Sequence, residues 1–200
     1  ELVQIEVMGK STHAMSPEKG INAISALMQI LGHLEAEFSM EPVAEKYNRY
    51  IGMHYYGEAL GCEFEDEVSG KLTFNVGTLS YRDGTIKFGA SIRYPATLCM
   101  ESVLERLTEQ CKKAGIKISV CSKMAGLYID AHTEFIQRLM DAYRKNSKDE
   151  NAEPLAIGGA TYARAIPNAV AFGPLFPYEE ELAHEADEYL AIDSLEKMTL

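Results

Sequence analysis

Two runs of alternating side chains with Asp83-Gly84 between them constrain the fold more than any other feature of the chain. Leu72, Phe74 and Val76 alternate with Lys71, Thr73 and Asn75, while Ile86, Phe88, Ala90 and Ile92 alternate with Lys87, Gly89 and Ser91. A period of two sends successive side chains to opposite faces of a strand, so each run has one apolar face. Asp-Gly favours the positive φ that a tight turn demands, and the two runs therefore predict an antiparallel hairpin.

The flanking segments extend this unit in both directions. Residues 2–8 alternate like a strand. Ser16-Pro17-Glu18 then reads as a helix start, with Ser16 as cap and Pro17 at the first helical position. Ile21, Ile24, Leu27, Met28, Leu31, Leu34 and Phe38 recur at helical spacing behind it. Residues 40–70 lose the pattern, with Tyr47, Tyr50, Tyr55, Tyr56 and several acids, and are expected to be an insertion of short helical or irregular pieces. A second helix is expected from about Leu98 to Ala114, with Val103, Leu104, Leu107, Cys111 and Ala114 on one face and Gly115 as its stop. Ile116, Ile118 and Val120 suggest one more strand. The resulting β-α-β-β-α-β order is the split βαβ, or ferredoxin-like, arrangement, an antiparallel sheet with both helices on one face. That arrangement hosts many unrelated activities and says little about function.

After Gly126 the texture changes. Phe135, Ile136, Leu139, Met140 and Tyr143 mark a helix, and a last amphipathic helix is expected from Ser194 towards Leu200. Leu155 to Gly159 and Ala169 to Gly173 are short apolar runs ending in glycine, as in buried strands of a parallel or mixed sheet. Two strands and two helices bury too little apolar surface to form a sheet domain alone, so this half is expected to need a partner segment.

Composition narrows the function classes. The chain carries 46% hydrophobic and 24% charged residues, an ordinary globular balance. Its net charge of −11 argues against a nucleic-acid-binding surface, which needs clustered cations to neutralise phosphates. No run approaches the length of a membrane span. The first residues have no basic region and no initiator Met, so the sequence is expected to be a segment of a longer protein. Cys62, Cys99, Cys111 and Cys121 form no C-x-x-C pair, and reduced, structural thiols in a cytoplasmic protein are the expectation.

Three segments could carry chemistry. In Gly9 to Pro17 (GKSTHAMSP) a His occupies the turn between strand and helix. A loop His is more often a solvated or capping residue, yet His13 could donate a proton or hydrogen bond near neutral pH. In Ile157 to Arg164 (IGGATYAR) glycines follow an apolar run, which lets backbone amides approach a ligand; a plain turn is the plainer reading. In Ala183 to Glu188 (AHEADE) one His stands among carboxylates. His184 could be a zinc ligand oriented by its neighbours, or part of an acidic surface loop, and a single His makes no zinc site. His33, His54 and His132 lack such contexts and read as structural. The dinucleotide, P-loop and G-x-S-x-G motifs are absent.

Taken in order, Gly9 to Gly20 (GKSTHAMSPEKG), Ser91 to Pro95 (SIRYP), Gly158 to Pro174 (GGATYARAIPNAVAFGP) and Glu181 to Ile192 (ELAHEADEYLAI) resemble the aminoacylase/carboxypeptidase/dipeptidase superfamily of zinc exopeptidases. The resemblance is strongest to its bacterial PepV-like branch, dipeptidases of Xaa-His or β-Ala-Xaa type, and it spans the whole chain. It implies an α/β (α+β) chain. Residues 1–124 would be a ferredoxin-like βαββαβ lid with an insertion at about 40–70, and residues 125–200 the C-terminal part of a zinc-peptidase catalytic domain. It implies two zinc ions sharing a bridging carboxylate, with a Glu as general base towards the bound water. His184 matches the C-terminal zinc ligand, and His13 the lid His that stabilises the tetrahedral oxyanion. Arg93 matches the lid Arg that holds the substrate carboxylate, and Gly159, Ala160 and Thr161 the loop that holds the substrate backbone. Ala160 departs from the family, which usually has Gly directly before the Thr. The N-terminal half of the catalytic domain, with the first His ligand, the bridging Asp and the general base, has no counterpart here.

The expected function is thus a cytoplasmic zinc-dependent dipeptidase acting on small peptides with a free C-terminal carboxylate, this chain alone being inactive. The alternatives are an N-acyl amino acid deacylase of the same superfamily and a non-catalytic ferredoxin-like binding or oligomerisation module. No nucleic-acid or membrane partner is expected.

Overall fold

The Asp83-Gly84 turn forms as the sequence predicts. In the computed structural model, which describes residues 3–34, 40–147, 149–173, 175–180, 182 and 187–199, Asp83 and Gly84 have φ of 49° and 71°. Positive φ at both central residues is the requirement of a type I′ turn, whose twist matches that of the strands it joins. The strands of the described residues are β1 (Glu65–Asp66), β2 (Gly70–Lys71), β3 (Thr73–Arg82) and β4 (Thr85–Arg93). The helices are α1 (Ala23–Gly32), α2 (Glu41–Tyr50), α3 (Met100–Lys113), α4 (Glu134–Ser147) and α5 (Ile192–Met198). Strand β3 pairs with β4 antiparallel from Arg82↔Thr85 back to Thr73↔Arg93, with a register shift between Val76 and Thr78, and β1 pairs with β2. The chain divides into two compact units, residues 1–126 and 127–200.

In the first unit the apolar face of the long hairpin is the floor of the core. Phe74 and Val76 are buried there together with Met28 of α1, Ala44 and Tyr47 of α2, and Val103, Leu107 and Cys111 of α3. The spacing of Val103, Leu107 and Cys111 is one helical face, as the sequence suggests, and Gly115 with φ of 63° ends that helix. Residues 40–64 contribute to this same core. Ile51, Leu60 and Cys62 are buried in it, Tyr47 meets Phe88 edge to face at 6.2 Å, and the Tyr47 hydroxyl shares a 2.9 Å hydrogen bond with Ser25 Oγ.

The mixed α+β class with small antiparallel sheets stands, and two local expectations change. Residues 3–9 and 116–120 carry no ladder pairing apart from the single Lys10↔Ile21 bridge. Alternation says that a segment can lie half-buried on a sheet but supplies no partner edge. The first helix also starts later than Ser16. Pro17–Lys19 is only a 3₁₀ turn, and α1 begins after Asn22, whose side-chain oxygen accepts hydrogen bonds from the amides of Ile24 and Ser25. Asn is as strong a cap as Ser, and Gly20 separates the two starts. Ile21 is therefore outside the helix and half exposed; Phe38 lies outside the described residues.

The second unit packs Ile136 and Met140 of α4 with Phe176 inward. Tyr143 stacks on Phe176 at 6.0 Å, and Phe176 on Tyr178 at 5.6 Å. Residues 155–159 and 169–173 are not strands, and Leu155 and Phe172 are exposed. A run of apolar residues without a period signals that burial is available, not which segment provides it. Helix α5 starts at Ile192, which puts Ser194 in its first turn, buried and hydrogen-bonded to Glu179 Oε1. No helix of the described residues is long and apolar enough to cross a membrane.

Candidate functional site

The segment from Lys10 to Ile21 is a loop closed at its neck. Lys10 N donates to Ile21 O, and Ile21 N to Lys10 O, both at 3.0 Å. Only glycine fits at two places in this neck: a Cβ on Gly9 would lie 2.4 Å from Ile21 O, and one on Gly20 would lie 2.6 Å from Lys10 O. Within the loop Ser16 N donates to His13 O at 2.9 Å, Lys19 N to Ser16 O at 3.1 Å, and Thr12 Oγ1 to Ser16 O at 3.3 Å. The His13 backbone is thereby held by local bonds rather than by burial.

The ring of His13 has a defined polarity. Its Nδ1 accepts from Met15 N at 3.2 Å, so the neutral ring carries its proton on Nε2, the donor tautomer. His13 lines an open groove of about 320 Å³ with Thr12, Asn22, Asn75 and Gly77 among its walls. Asn22 organises that wall. Its Oδ1 caps α1, and its Nδ2 donates to Asn75 Oδ1 at 3.2 Å and to Val76 O at 2.7 Å. One amide thus joins the helix start to the outer edge of β3, beside the irregularity at Gly77.

Arg93 ends β4 opposite Thr73 and is half-buried. It is not a lining residue of the groove. It shares a face of β4 with Ser91, the direct partner of the groove residue Asn75, and lies about 7 Å along the strand from it. His13 and Arg93 therefore belong to one unit, His13 in the Lys10–Ile21 loop that shares a groove with Asn75 of β3, and Arg93 at the end of β4. Gly159, Ala160 and Thr161 belong to the second unit and are exposed. Thr161 is extended, with φ of −124° and ψ of 168°, and precedes the 3₁₀ turn Tyr162–Ala165. His184 lies outside the described residues. Asn22 and Asn75 went unread in the sequence, although Asn directly before the apolar repeat of Ile24, Met28 and Leu31 is a recognisable cap signal.

Residues 3–118 match the family model described as the peptidase dimerisation domain. A provisionally named dipeptidase of Staphylococcus haemolyticus (strain JCSC1435) is 34% identical over 192 residues, covering 95% of this chain and 40% of the relative. Another provisionally named dipeptidase, from Staphylococcus aureus (strain USA300), is 32% identical over 190 residues, covering 94% of this chain and 40% of the relative. The chain thus spans about two fifths of the length of the curated relatives it matches.

Proposed function

The chain belongs to the peptidase dimerisation domain family, and from that premise we propose that it is part of a zinc-dependent dipeptidase, residues 1–124 serving as lid and 125–200 contributing to the catalytic domain. The observation that carries this reading is the closed loop that holds His13 at the wall of a polar groove, inside the stretch matched to the family. In the reaction a carbonyl carbon becomes tetrahedral and its oxygen gains negative charge. A preplaced N–H donor lowers that barrier because it need not reorganise as the charge develops. His13 Nε2–H is that donor, Arg93 pairs its guanidinium with the terminal carboxylate of the substrate, and the Gly159–Thr161 stretch holds the substrate backbone.

Two zinc ions would polarise the scissile carbonyl and activate water, and this chain's contribution to them is His184. Among the described residues no group of three or more His, Cys, Asp or Glu side chains could hold a metal ion, and one imidazole does not replace the roughly four donors that zinc takes. The described residues do not by themselves fit the metal, and on this reading its remaining ligands lie in polypeptide outside this chain. A cytoplasmic setting accords with four free cysteines.

The deciding experiment replaces His13 by Ala in the full-length protein. A fall in kcat of about 10²–10³-fold with metal content unchanged is the expected result; near-normal turnover would remove the oxyanion role. Hydrolysis of dipeptides against N-acyl amino acids, with and without chelator, separates the dipeptidase from a deacylase. The family's description favours one further property, self-association through residues 3–118, which sedimentation equilibrium of the purified protein tests.

A further inference from the structure

Arg93 stands where β4 leaves the sheet, and one carboxylate ties the chain that follows it to the turn that leads into the opposite strand. On one side, Asp66 of β1 accepts through Oδ1 from Val68 N at 3.1 Å, Ser69 N at 2.5 Å and Ser69 Oγ at 2.9 Å. These bonds shape the short β1–β2 hairpin, which runs through Lys71 and Leu72 directly into Thr73, the cross-strand partner of Arg93. On the other side, Asp66 Oδ2 accepts from Thr97 N at 3.0 Å and Thr97 Oγ1 at 2.8 Å, across a separation of 31 residues. Ser69 Oγ doubles the link by accepting from Ala96 N at 2.7 Å. Between Arg93 and these anchors Pro95 is fully buried. Arg93 is thus enclosed in a ring that runs from Asp66 to Thr73, across the strand pair to Arg93, on to Thr97 and back to Asp66.

A turn at Asp66 needs only the Oδ1 bonds. The Oδ2 bonds lie outside that turn: they tie the segment that follows Arg93 to β1. Pairing of a guanidinium with a carboxylate through two parallel bonds depends on the orientation of the whole plane, so small rotations of the Arg93 backbone are magnified at the end of a long side chain. We propose that Asp66 is a positioning residue that, by clasping Ala96 and Thr97 to Ser69, aims Arg93 at the terminal carboxylate of a peptide substrate. The proposal rests on the carboxylate-binding role of Arg93 given above.

The test is the selectivity of the full-length enzyme, kcat/KM for a dipeptide relative to the same dipeptide carrying a C-terminal amide. Asp66→Asn keeps the size of the side chain but turns an acceptor towards Thr97 into a donor. Selectivity is expected to fall about tenfold, carried by KM of the carboxylate substrate, while kcat stays within about twofold. Thr97→Val removes one donor with little change of shape, and about a threefold fall in the same direction is expected; this variant decides the matter if Asp66→Asn does not fold. Arg93→Ala, measured in parallel, is expected to abolish the selectivity. Retained selectivity in Asp66→Asn and Thr97→Val beside its loss in Arg93→Ala overturns the role of Asp66 and leaves that of Arg93 standing. Equal losses on both substrates reduce Asp66 to a structural tie and also overturn it. Unchanged selectivity in Arg93→Ala overturns both.

Discussion

At the scale of single residues, the polar atoms of Asn22 do the most. Its oxygen satisfies two amides at the start of α1 and its nitrogen two acceptors on β3. Asn22→Ala is expected to destabilise the protein by about 2 kcal/mol, a lost cap together with stranded acceptors. Asn22→Asp keeps the cap, turns an oxygen towards Val76 O, and should recover little of the loss. Urea denaturation measures both. The cysteines divide by burial. Burial, and then the neighbouring Cys111, pushes the Cys62 thiol up to about 11, and burial raises Cys111 as well, whereas Cys99 and Cys121 are exposed. A thiol reagent at neutral pH should label Cys99 and Cys121 quickly and the other two only on unfolding, because the thiolate is the reactive form. Titration with mass mapping reads this directly. Helical spacing picks out Cys111, and His13 and Arg93 stand in the motifs that carry the family resemblance. What Asn22 and Asp66 join is not legible in the sequence, because Asn22 also bonds Asn75 and Val76, and Asp66 also bonds Thr97, all more than 30 residues away.

At the scale of elements, the long hairpin is the best-specified part. Gly84 holds φ of 71°, so Gly84→Ala should cost about 1 kcal/mol through the left-handed backbone alone, visible as a lower denaturation midpoint with an unchanged slope. The clasp around β1 has an acid limit. Burial raises the Asp66 carboxyl, but the hydrogen bonds from Ser69 and Thr97 outweigh it and hold the group well below the usual carboxylate range. A depressed folded-state pKa contributes stability that is present above the unfolded value and is lost as pH falls through the folded one. The stability difference between the parent protein and Asp66→Asn should therefore be full at pH 7 and narrow below about pH 4. Helices α3, α4 and α5 and the Asp-Gly turn were legible because their signals are local: periodicity, a stop glycine, a turn dipeptide. The outer strands and the start of α1 were not. A strand is completed only by a partner edge, and the choice between two capping residues depends on what the helix then packs against.

At the scale of the whole molecule, the two units differ in how much they enclose. The first has a shared core from three helices and a hairpin. The second leaves Leu155, Tyr162, Phe172 and Tyr189 exposed. Residues 1–200 expressed alone should hydrolyse no dipeptide, with or without added zinc, since one candidate ligand does not make a metal centre; release of amino acid above the buffer blank would refute this.

By itself the sequence determined the hairpin and its turn, the buried face of α3 and the presence of α4, all of them properties of spacing along the chain, and its motifs carried the resemblance to a peptidase family. Only the tertiary structure decided where α1 begins, that residues 40–64 belong to the core, that Asn22 joins helix to strand, and that Asp66 grips the turn beyond Arg93. Each of these depends on a hydrogen bond or an apolar contact between segments far apart in the chain, and a donor's choice among distant acceptors is settled by packing rather than by its neighbours in sequence.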